Sequence, residues 1–234
     1  MITSSLVPPV SRACRDVKEQ LCGVGATNLG VDPSDVEFAD GRVRVKGGDQ
    51  RSISFEDLAK LAGAFGPQGV DPIIGRGASK GSARSPVLAV GAADIEVDRE
   101  TGKVKILSYA AAQDIGLAIN PTMVEGQIQG AVVQGIGWAL TENHVSEKGV
   151  MQNATLLDYR IPTAADVPFI EAILVEVGSN TSLFGIRGVG EPPLVPTPAV
   201  MANAVHSATG VRLKELPMDP EAIVRAVQNP DKSG

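Results

Sequence analysis

The clearest indication of the fold is VLAVGAADIEVDRETGKVKILSYAAAQDIG, residues 87–116, near the middle of the chain. Two runs rich in Val, Ile, Ala and Tyr flank a polar segment at residues 98–102 that ends in glycine. Branched and aromatic residues favour strands, and a short polar segment with glycine favours a reversal of the chain. The stretch therefore predicts a long antiparallel hairpin.

A helix is predicted directly after this hairpin, from residue 121 to about residue 140. Asn120 is a favoured N-cap residue, and Pro121 suits the first helical position. Residues at three- and four-residue steps form an apolar stripe: Val124, Ile128, Ala131, Val132 and Ile136. The other surface carries helix-weakening glycines and two glutamines: Gly126, Gly130, Gly135, Gly137, Gln127 and Gln134. This surface either binds a polar ligand that approaches the backbone closely or is a solvated or helix-packing face.

The elements on either side of this region mix helices with strands. Upstream, the pattern predicts a helix over residues 11–26, a hairpin turning at Asp40 and Gly41, and a short helix from Ser54 with Asp57 as a capping partner. Residues 66–85, rich in Gly, Pro and Ser, mark a loop or boundary. Downstream we expect strands around Pro162 and Pro168 and helices over residues 192–210 and 220–228. Because strands and helices do not alternate regularly, we predict an α+β fold with mixed or antiparallel strands and packed helices.

Composition excludes several classes of function. The chain has 234 residues, 43% of them hydrophobic, and 27 acidic against 21 basic residues give a net charge of −6. This balance and an aromatic content of 3% argue against a nucleic-acid partner, and no apolar run is long enough for a membrane span. Cys14 and Cys22 lie about two helical turns apart, too far for a disulfide, so we expect reduced thiols in a cytoplasmic protein.

No metal-ligating residue is predicted from spacing. The two histidines, His144 and His206, have no Cys, Asp or Glu at the spacing of a metal site. The glycines of GIRGVG, residues 185–190, have the wrong order for a dinucleotide fingerprint, and no phosphate-binding lysine motif follows them.

The second informative stretch is FGIRGVGEPPLVPTP, residues 184–198, in which Glu191 stands between glycines and the Pro192-Pro193 step. Pro192 disfavours helical geometry at Glu191 and predicts that the next helix starts there. Desolvation by nearby apolar side chains, Val195 among them, would make the carboxylate a stronger general base. Alternatively, Glu191 is a helix-entry residue that satisfies free backbone N–H groups. The residues alone leave both interpretations open.

Three motifs in this order, INPTMVEGQIQGAVVQGIG, DYRIPTA and GVGEPP, carry a family resemblance. From residue 75 to about residue 227 the chain resembles the molybdenum-binding subunit of the xanthine dehydrogenase and aldehyde oxidase family. The resemblance implies that residues 71–234 form the C-terminal molybdopterin-binding domain of a molybdenum hydroxylase. Residues 1–70 would complete an upstream family domain with a helix, a hairpin and a second helix.

The resemblance also implies an activity and a site. An oxidoreductase of this family oxidatively hydroxylates a carbon centre using water, and Glu191 would act as general base on the molybdenum-bound hydroxyl. Gln127 would contact the pterin, and the backbone of Gly190 would lie beside the metal centre. Asp114, Asn120 and Gln134 match recurrent family positions and are expected to have supporting roles. Ile186 and Arg187 replace a small residue and a lysine of many members, and we expect them to shape substrate access.

Family subunits are several times longer than this chain, so the resemblance implies an active site completed by partner chains. We expect a partner with the upstream half of the molybdenum subunit, and further chains with iron–sulfur clusters and FAD. The expected cofactor is molybdopterin, alone or as its cytosine dinucleotide, and the expected substrate is a small molecule. The alternative is a non-catalytic truncated fragment or structural subunit that holds no cofactor on its own, in which Glu191 merely caps a helix.

Overall fold

The computed structural model describes residues 2–47, 50–61, 72–79, 86–178 and 182–229. Contacts divide the chain into two units, one of Thr3–Ser82 and one of Ala83–Gly234 with the first two residues. The family domain division at residue 70 stays a prediction.

The first unit combines two helices with a three-stranded antiparallel sheet in the order β1-β2-β3. Its elements are α1 (Ile2–Leu29), a short 3-10 helix (Pro33–Asp35), β1 (Val36–Ala39), β2 (Arg42–Val45), β3 (Ser52–Ser54) and α2 (Phe55–Leu61). The predicted hairpin is confirmed, because Asp40 and Gly41 form its turn with φ of 50° and 69°. Helix α1 is longer than predicted and includes Pro8 and Pro9.

A small apolar core holds this unit together. It is built from α1, β1, β2 and α2 by five buried side chains: Leu21, Ala26, Val36, Val43 and Leu58. The predicted cap of α2 is confirmed, since Ser54 Oγ accepts a hydrogen bond from the backbone N–H of Asp57 at 3.1 Å. The predicted loop at residues 66–85 falls largely outside the described residues.

The second unit is built on a mixed sheet in the order β4-β5-β8. Its elements are β4 (Ala89–Val97), β5 (Val104–Asp114), α3 (Pro121–Leu140), β6 (Ser146–Glu147), β7 (Val150–Met151), β8 (Phe169–Val175), a 3-10 helix (Leu183–Gly185), α4 (Thr197–Thr209) and α5 (Pro220–Gln228). Strands β4 and β5 pair antiparallel, so the long hairpin is confirmed. Strand β8 pairs parallel with β5. The α+β prediction with mixed strands is therefore confirmed.

Helices α3 and α4 pack against each other and against one face of this sheet, α4 on β4 and α3 on β8. Residues of β5 at alternate positions, Tyr109, Ala111 and Gln113, are buried on that face. The principal core side chains are Tyr109, Ile128, Val132, Ile136, Met201, Val205, Met218 and Ile223. The predicted N-cap of α3 is confirmed, because Asn120 Oδ1 accepts from the N–H of Met123 at 3.2 Å.

Two of the four glycines of α3 are explained by packing inside this unit. A Cβ on Gly135 would lie 2.5 Å from Cβ of Thr197, so α3 and α4 approach closely there. A Cβ on Gly137 would meet the side chains of Glu142 and Pro162. In contrast, a Cβ on Gly126 or Gly130 would meet no atom of the described chain within 4 Å.

The predicted start of a helix at Pro192 is wrong. Residues 191–196 form successive turns, and α4 begins at Thr197. Pro196 has no N–H for the carbonyl of Pro192, and Pro193 and Pro196 disfavour helical geometry at the residue before each of them. The stretch therefore makes backbone bonds over three residues, from Leu194, Val195 and Thr197, and the first bond over four residues runs from Val200 to the carbonyl of Pro196. The expected strand around Pro162 is wrong as well, since residues 160–163 have no regular secondary structure and lie between turns at residues 156–158 and 164–166. Strand β8 and helix α5 are found where they were predicted.

Candidate functional site

The glycine-rich segment of residues 185–191, here called the glutamate loop, lies against the carboxyl end of β5. The backbone N–H of Arg187 donates to the carbonyl of Ile115 at 3.0 Å. The side-chain Nε2 of Gln113 donates to the carbonyl of Gly188 at 2.9 Å. Strand β5 therefore holds the loop by its backbone just before Glu191.

An ion pair joins the same two segments. Arg187 Nε lies 3.1 Å from Asp114 Oδ2, and each side chain is 12% exposed. The guanidinium of Arg187 also donates to the carbonyl of Pro86, and the neighbouring Ile186 is buried. These contacts show that Ile186 and Arg187 anchor the loop. Their effect on substrate access stays a prediction.

The turn after β5 requires glycine where it meets the glutamate loop. Gly116 has φ of +69°, and a Cβ there would lie 1.9 Å from the carbonyl oxygen of Gly185. Asp114 Oδ1 accepts the N–H of Gly116 at 3.1 Å, which fixes this turn. A side chain at residue 116 is thus excluded both by backbone conformation and by contact with the loop.

Glu191 is exposed and lies at the surface of the unit. Its carboxylate has no hydrogen-bond or ion-pair partner among the described residues. The interpretation of Glu191 as a helix cap is wrong, because α4 begins at Thr197 and its N-cap residue is Pro196. The expected apolar enclosure is also absent from the described chain, where the nearby Val195 is 73% exposed. Groups that desolvate Glu191 have to come from outside these residues.

The structure brings the other two predicted site residues together beside Glu191. A Cβ built on Gly190 would lie 3.0 Å from Oε1 of Gln127, although the two residues are far apart in sequence. Gln127 is exposed on the second turn of α3. An amide that both donates and accepts hydrogen bonds therefore lies against the peptide that precedes the carboxylate.

The residues present fit a polar cofactor better than a directly ligated metal ion. Gln127 offers an amide for hydrogen bonds, and the open Gly126 and Gly130 leave the backbone of α3 accessible beside it. Across the described ranges, no group of three or more His, Cys, Asp or Glu side chains could hold a metal ion. A metal at this place would need its ligands from a cofactor.

The predicted supporting residues have separate local functions. Asn120 caps α3, and Asp114 pairs with Arg187. Gln134 is exposed about two turns beyond Gln127 on α3.

In the part of the chain that the structure describes, no helix is both long and apolar enough to cross a membrane.

Gln113 is a residue of the site that the sequence analysis missed. It is 1% exposed on the inner face of β5, and its Oε1 has no hydrogen-bond partner within the described chain. Its signal in the sequence is a polar residue at an inward position of the alternation that begins at Tyr109 and continues with Ala111. A strand with an amide at a core position indicates a specific partner for that amide.

Residues 3–168 match the family model described as molybdopterin cofactor-binding domain. A putative xanthine dehydrogenase molybdenum-binding subunit of Escherichia coli K12 is 32% identical over 219 residues, which cover 92% of this chain and 29% of that protein. The nicotine 6-hydroxylase large subunit of Paenarthrobacter nicotinovorans is 35% identical over 228 residues, 94% of this chain and 28% of that protein. The chain thus spans less than a third of the length of these relatives.

Solved structures show the same relation. Quinoline 2-oxidoreductase of Pseudomonas putida superposes with a TM-score of 0.70 at 31% identity, covering 91% of this chain and 28% of that one. A Cu,Mo-containing CO dehydrogenase superposes with a TM-score of 0.74 at 24% identity and covers 92% of this chain, a likeness that supports the fold alone.

Proposed function

Since this chain belongs to the molybdopterin cofactor-binding domain family, we propose that it forms the C-terminal part of the active site of a molybdenum hydroxylase. In this proposal Gln127 and Gly190 bind the molybdopterin cofactor, and Glu191 is the general base. The cofactor, when bound, supplies the oxidant for hydroxylation of a carbon centre with oxygen from water.

One observation carries the proposal: Gln127 of α3 lies against Gly190, and Gly190 is followed by an exposed carboxylate that has no partner among the described residues. An exposed glutamate is common, but here the loop before it is held by a hydrogen bond from Gln113 and by the largely buried ion pair of Asp114 and Arg187. A rigid loop that presents an unpaired carboxylate is the arrangement that a general base needs.

In this proposal Gln127, Gly190 and Glu191 each have a separate function. The Gln127 amide binds and orients the cofactor through hydrogen bonds, while Gly190 admits it next to the backbone because it has no side chain. Glu191 accepts a proton at a carboxylate oxygen as the attacking oxygen becomes a nucleophile. The isolated chain leaves this carboxylate in water, so the remainder of a longer subunit would exclude solvent and strengthen the base.

The outer face of the β4-β5-β8 sheet supports the expectation of further polypeptide at this site. Val90 and Ile173 lie in one cross-strand row, on either side of Ala112, and are 68% and 42% exposed. This apolar row lies at the end of the sheet that carries Asp114 and the glutamate loop. Farther from that end, the face becomes polar at Asp94 and Ser108. We propose that the remaining part of the molybdenum-binding subunit covers the apolar half.

The first experiment measures cofactor content. The chain, tagged and isolated with its partners from cells that express it naturally, should contain molybdenum and pterin, measured by elemental analysis and by pterin fluorescence. Gln127→Leu should lower both by about tenfold, because one hydrogen bond to a polar ligand contributes on the order of 1.4 kcal/mol.

Gln134→Leu is the matched control. It makes the same change on the same helix, but at a residue that does not lie against Gly190. Equal losses from both variants would contradict the pairing of Gln127 with Gly190 as the cofactor contact. A complex that contains neither molybdenum nor pterin would favour the alternative of a non-catalytic fragment or structural subunit.

Gly126 offers a second test. Glycine inside a helix lowers stability relative to alanine, and no neighbouring residue of the described chain needs the space that a methyl group would occupy. Gly126→Ala should stabilise the isolated chain by about 0.5–1 kcal/mol. Denaturation in guanidinium chloride, followed by the fluorescence of the single tryptophan, Trp138, measures this change. In the assembled complex the same variant should lower molybdenum content, because the added methyl group occupies the surface beside Gln127.

Gly135→Ala is the control for this prediction, since its Cβ would lie 2.5 Å from Thr197 Cβ and should destabilise the isolated chain. A Gly126→Ala complex with full molybdenum content would show that nothing approaches this part of α3.

Several expectations stay predictions: the cytosine dinucleotide form of the cofactor, the iron–sulfur and FAD partner chains, the small-molecule substrate and the cytoplasmic location.

A further inference from the structure

Gln113 is a polar side chain at a core position. It shares the inner face of β5 with Tyr109 and Ala111, and it is 1% exposed. Its Nε2 donates to the carbonyl of Gly188 at 2.9 Å, while its Oε1 has no partner among the described residues. Of the two polar atoms of this amide, the nitrogen has its partner in the glutamate loop and the oxygen has none in the described chain.

Stability alone does not explain this residue. A buried amide with an unpaired oxygen is less favourable than an apolar side chain of the same size, which would pack against the same neighbours. Locally unfavourable residues of this kind occur where function requires them. Within the described chain, the contact that glutamine makes here and methionine could not make is the hydrogen bond to Gly188.

The position of that hydrogen bond indicates which part of the glutamate loop it holds in place. Gly188 precedes Glu191 by three residues, and neither Gly188 nor Gly190 has a side chain that could hold the loop by packing. Gln113 itself lies in the central strand, paired with Ala89 on one side and Leu174 on the other. A donor on a strand fixed from both sides therefore holds the part of the loop that has no side chain of its own to pack.

We propose that Gln113 is a positioning residue for Glu191. Its amide fixes the Gly188 peptide and thereby the place of Glu191 and Gly190 relative to the bound cofactor and substrate. The catalytic part of this inference rests on the function proposed above, whereas the mechanical part concerns the loop alone and is measurable without cofactor.

The mechanical part is tested on the isolated full chain with trypsin, which cleaves after arginine when the local backbone opens. Gln113→Met keeps the length and apolar stem of the side chain but removes the donor. We expect cleavage of the Arg187–Gly188 bond to become about tenfold faster, as for loss of one hydrogen bond. Cleavage after the exposed Arg160 serves as the internal reference and should change less than about twofold.

The catalytic part is tested on the assembled complex. Turnover per bound pterin should fall about tenfold in Gln113→Met, with KM changed by less than about threefold, because a displaced base lowers the rate of the proton transfer step rather than substrate binding. A merely structural role would lower the amount of loaded enzyme and leave turnover per bound pterin unchanged.

Unchanged cleavage after Arg187 in the variant would overturn the proposal, and so would faster cleavage with wild-type turnover per bound pterin. If Gln113→Met fails to fold, Gln113→Asn decides in the same way, since it keeps the amide but is one methylene too short to reach Gly188. Failure of the general-base function would appear separately, as wild-type turnover in a Glu191 variant whose loop is intact.

Discussion

Glu191→Gln is expected to lower turnover of the assembled complex by at least about a hundredfold, which is the usual contribution of a general base. Glutamine has nearly the same size as glutamate and keeps a polar side chain in place, but its amide cannot accept the proton. Because Glu191 has no partner in the described chain, the change breaks no hydrogen bond or ion pair there. Molybdenum and pterin content should therefore match the wild type, and stability of the isolated chain should change by less than about 0.5 kcal/mol.

Glu147→Gln is the matched control, since Glu147 is an exposed residue of the β6-β7 hairpin. Its turnover should stay within about twofold of wild type. Turnover of Glu191→Gln at the wild-type level, with full cofactor content, would remove Glu191 from the reaction. Loss of cofactor in that variant would instead assign Glu191 to cofactor binding.

Local signals predicted most of the fold. The hairpin at Asp40 and Gly41, the cap at Asn120 and the long hairpin of β4 and β5 each depend on residues close together in sequence, and each is confirmed. The parallel pairing of β8 with β5 was not predicted, because it joins strands separated by the whole of α3. The predicted helix start at Pro192 is wrong, since Pro192 suits a first helical turn but Pro196 cannot donate to its carbonyl, and Pro193 and Pro196 disfavour helical geometry at the residues before them.

The candidate site could be predicted in its residue types but not in its geometry. Spacing alone favoured a helix-entry role for Glu191, and only the family resemblance connected it with Gln127. The contact between Gln127 and Gly190 depends on how α3 packs beside the sheet, which no local pattern specifies. Gln113 was missed because one amide in an apolar strand is a weak signal until the carbonyl of Gly188 is seen next to it.

Gly116→Ala should have the largest effect on stability of any single methyl group added near the site. At φ of +69° an alanine is strained by about 1 kcal/mol, and its Cβ would lie 1.9 Å from the backbone oxygen of Gly185. Backbone cannot move aside as a side-chain end can, so the contact should cost a further ~1–3 kcal/mol, as for overpacking. Guanidinium denaturation of the isolated chain, followed by Trp138 fluorescence, measures the sum.

Gly149→Ala separates the two contributions, because Gly149 has φ of +80° in the β6-β7 hairpin and an added Cβ would meet no described atom within 4 Å. That variant should lose only the ~1 kcal/mol of backbone strain. If Gly116→Ala loses no more than Gly149→Ala, the close contact between the turn after β5 and the glutamate loop is not maintained in solution. If it loses more, cleavage after Arg187 should also become faster, because the loop can accommodate the methyl group only by leaving the end of β5.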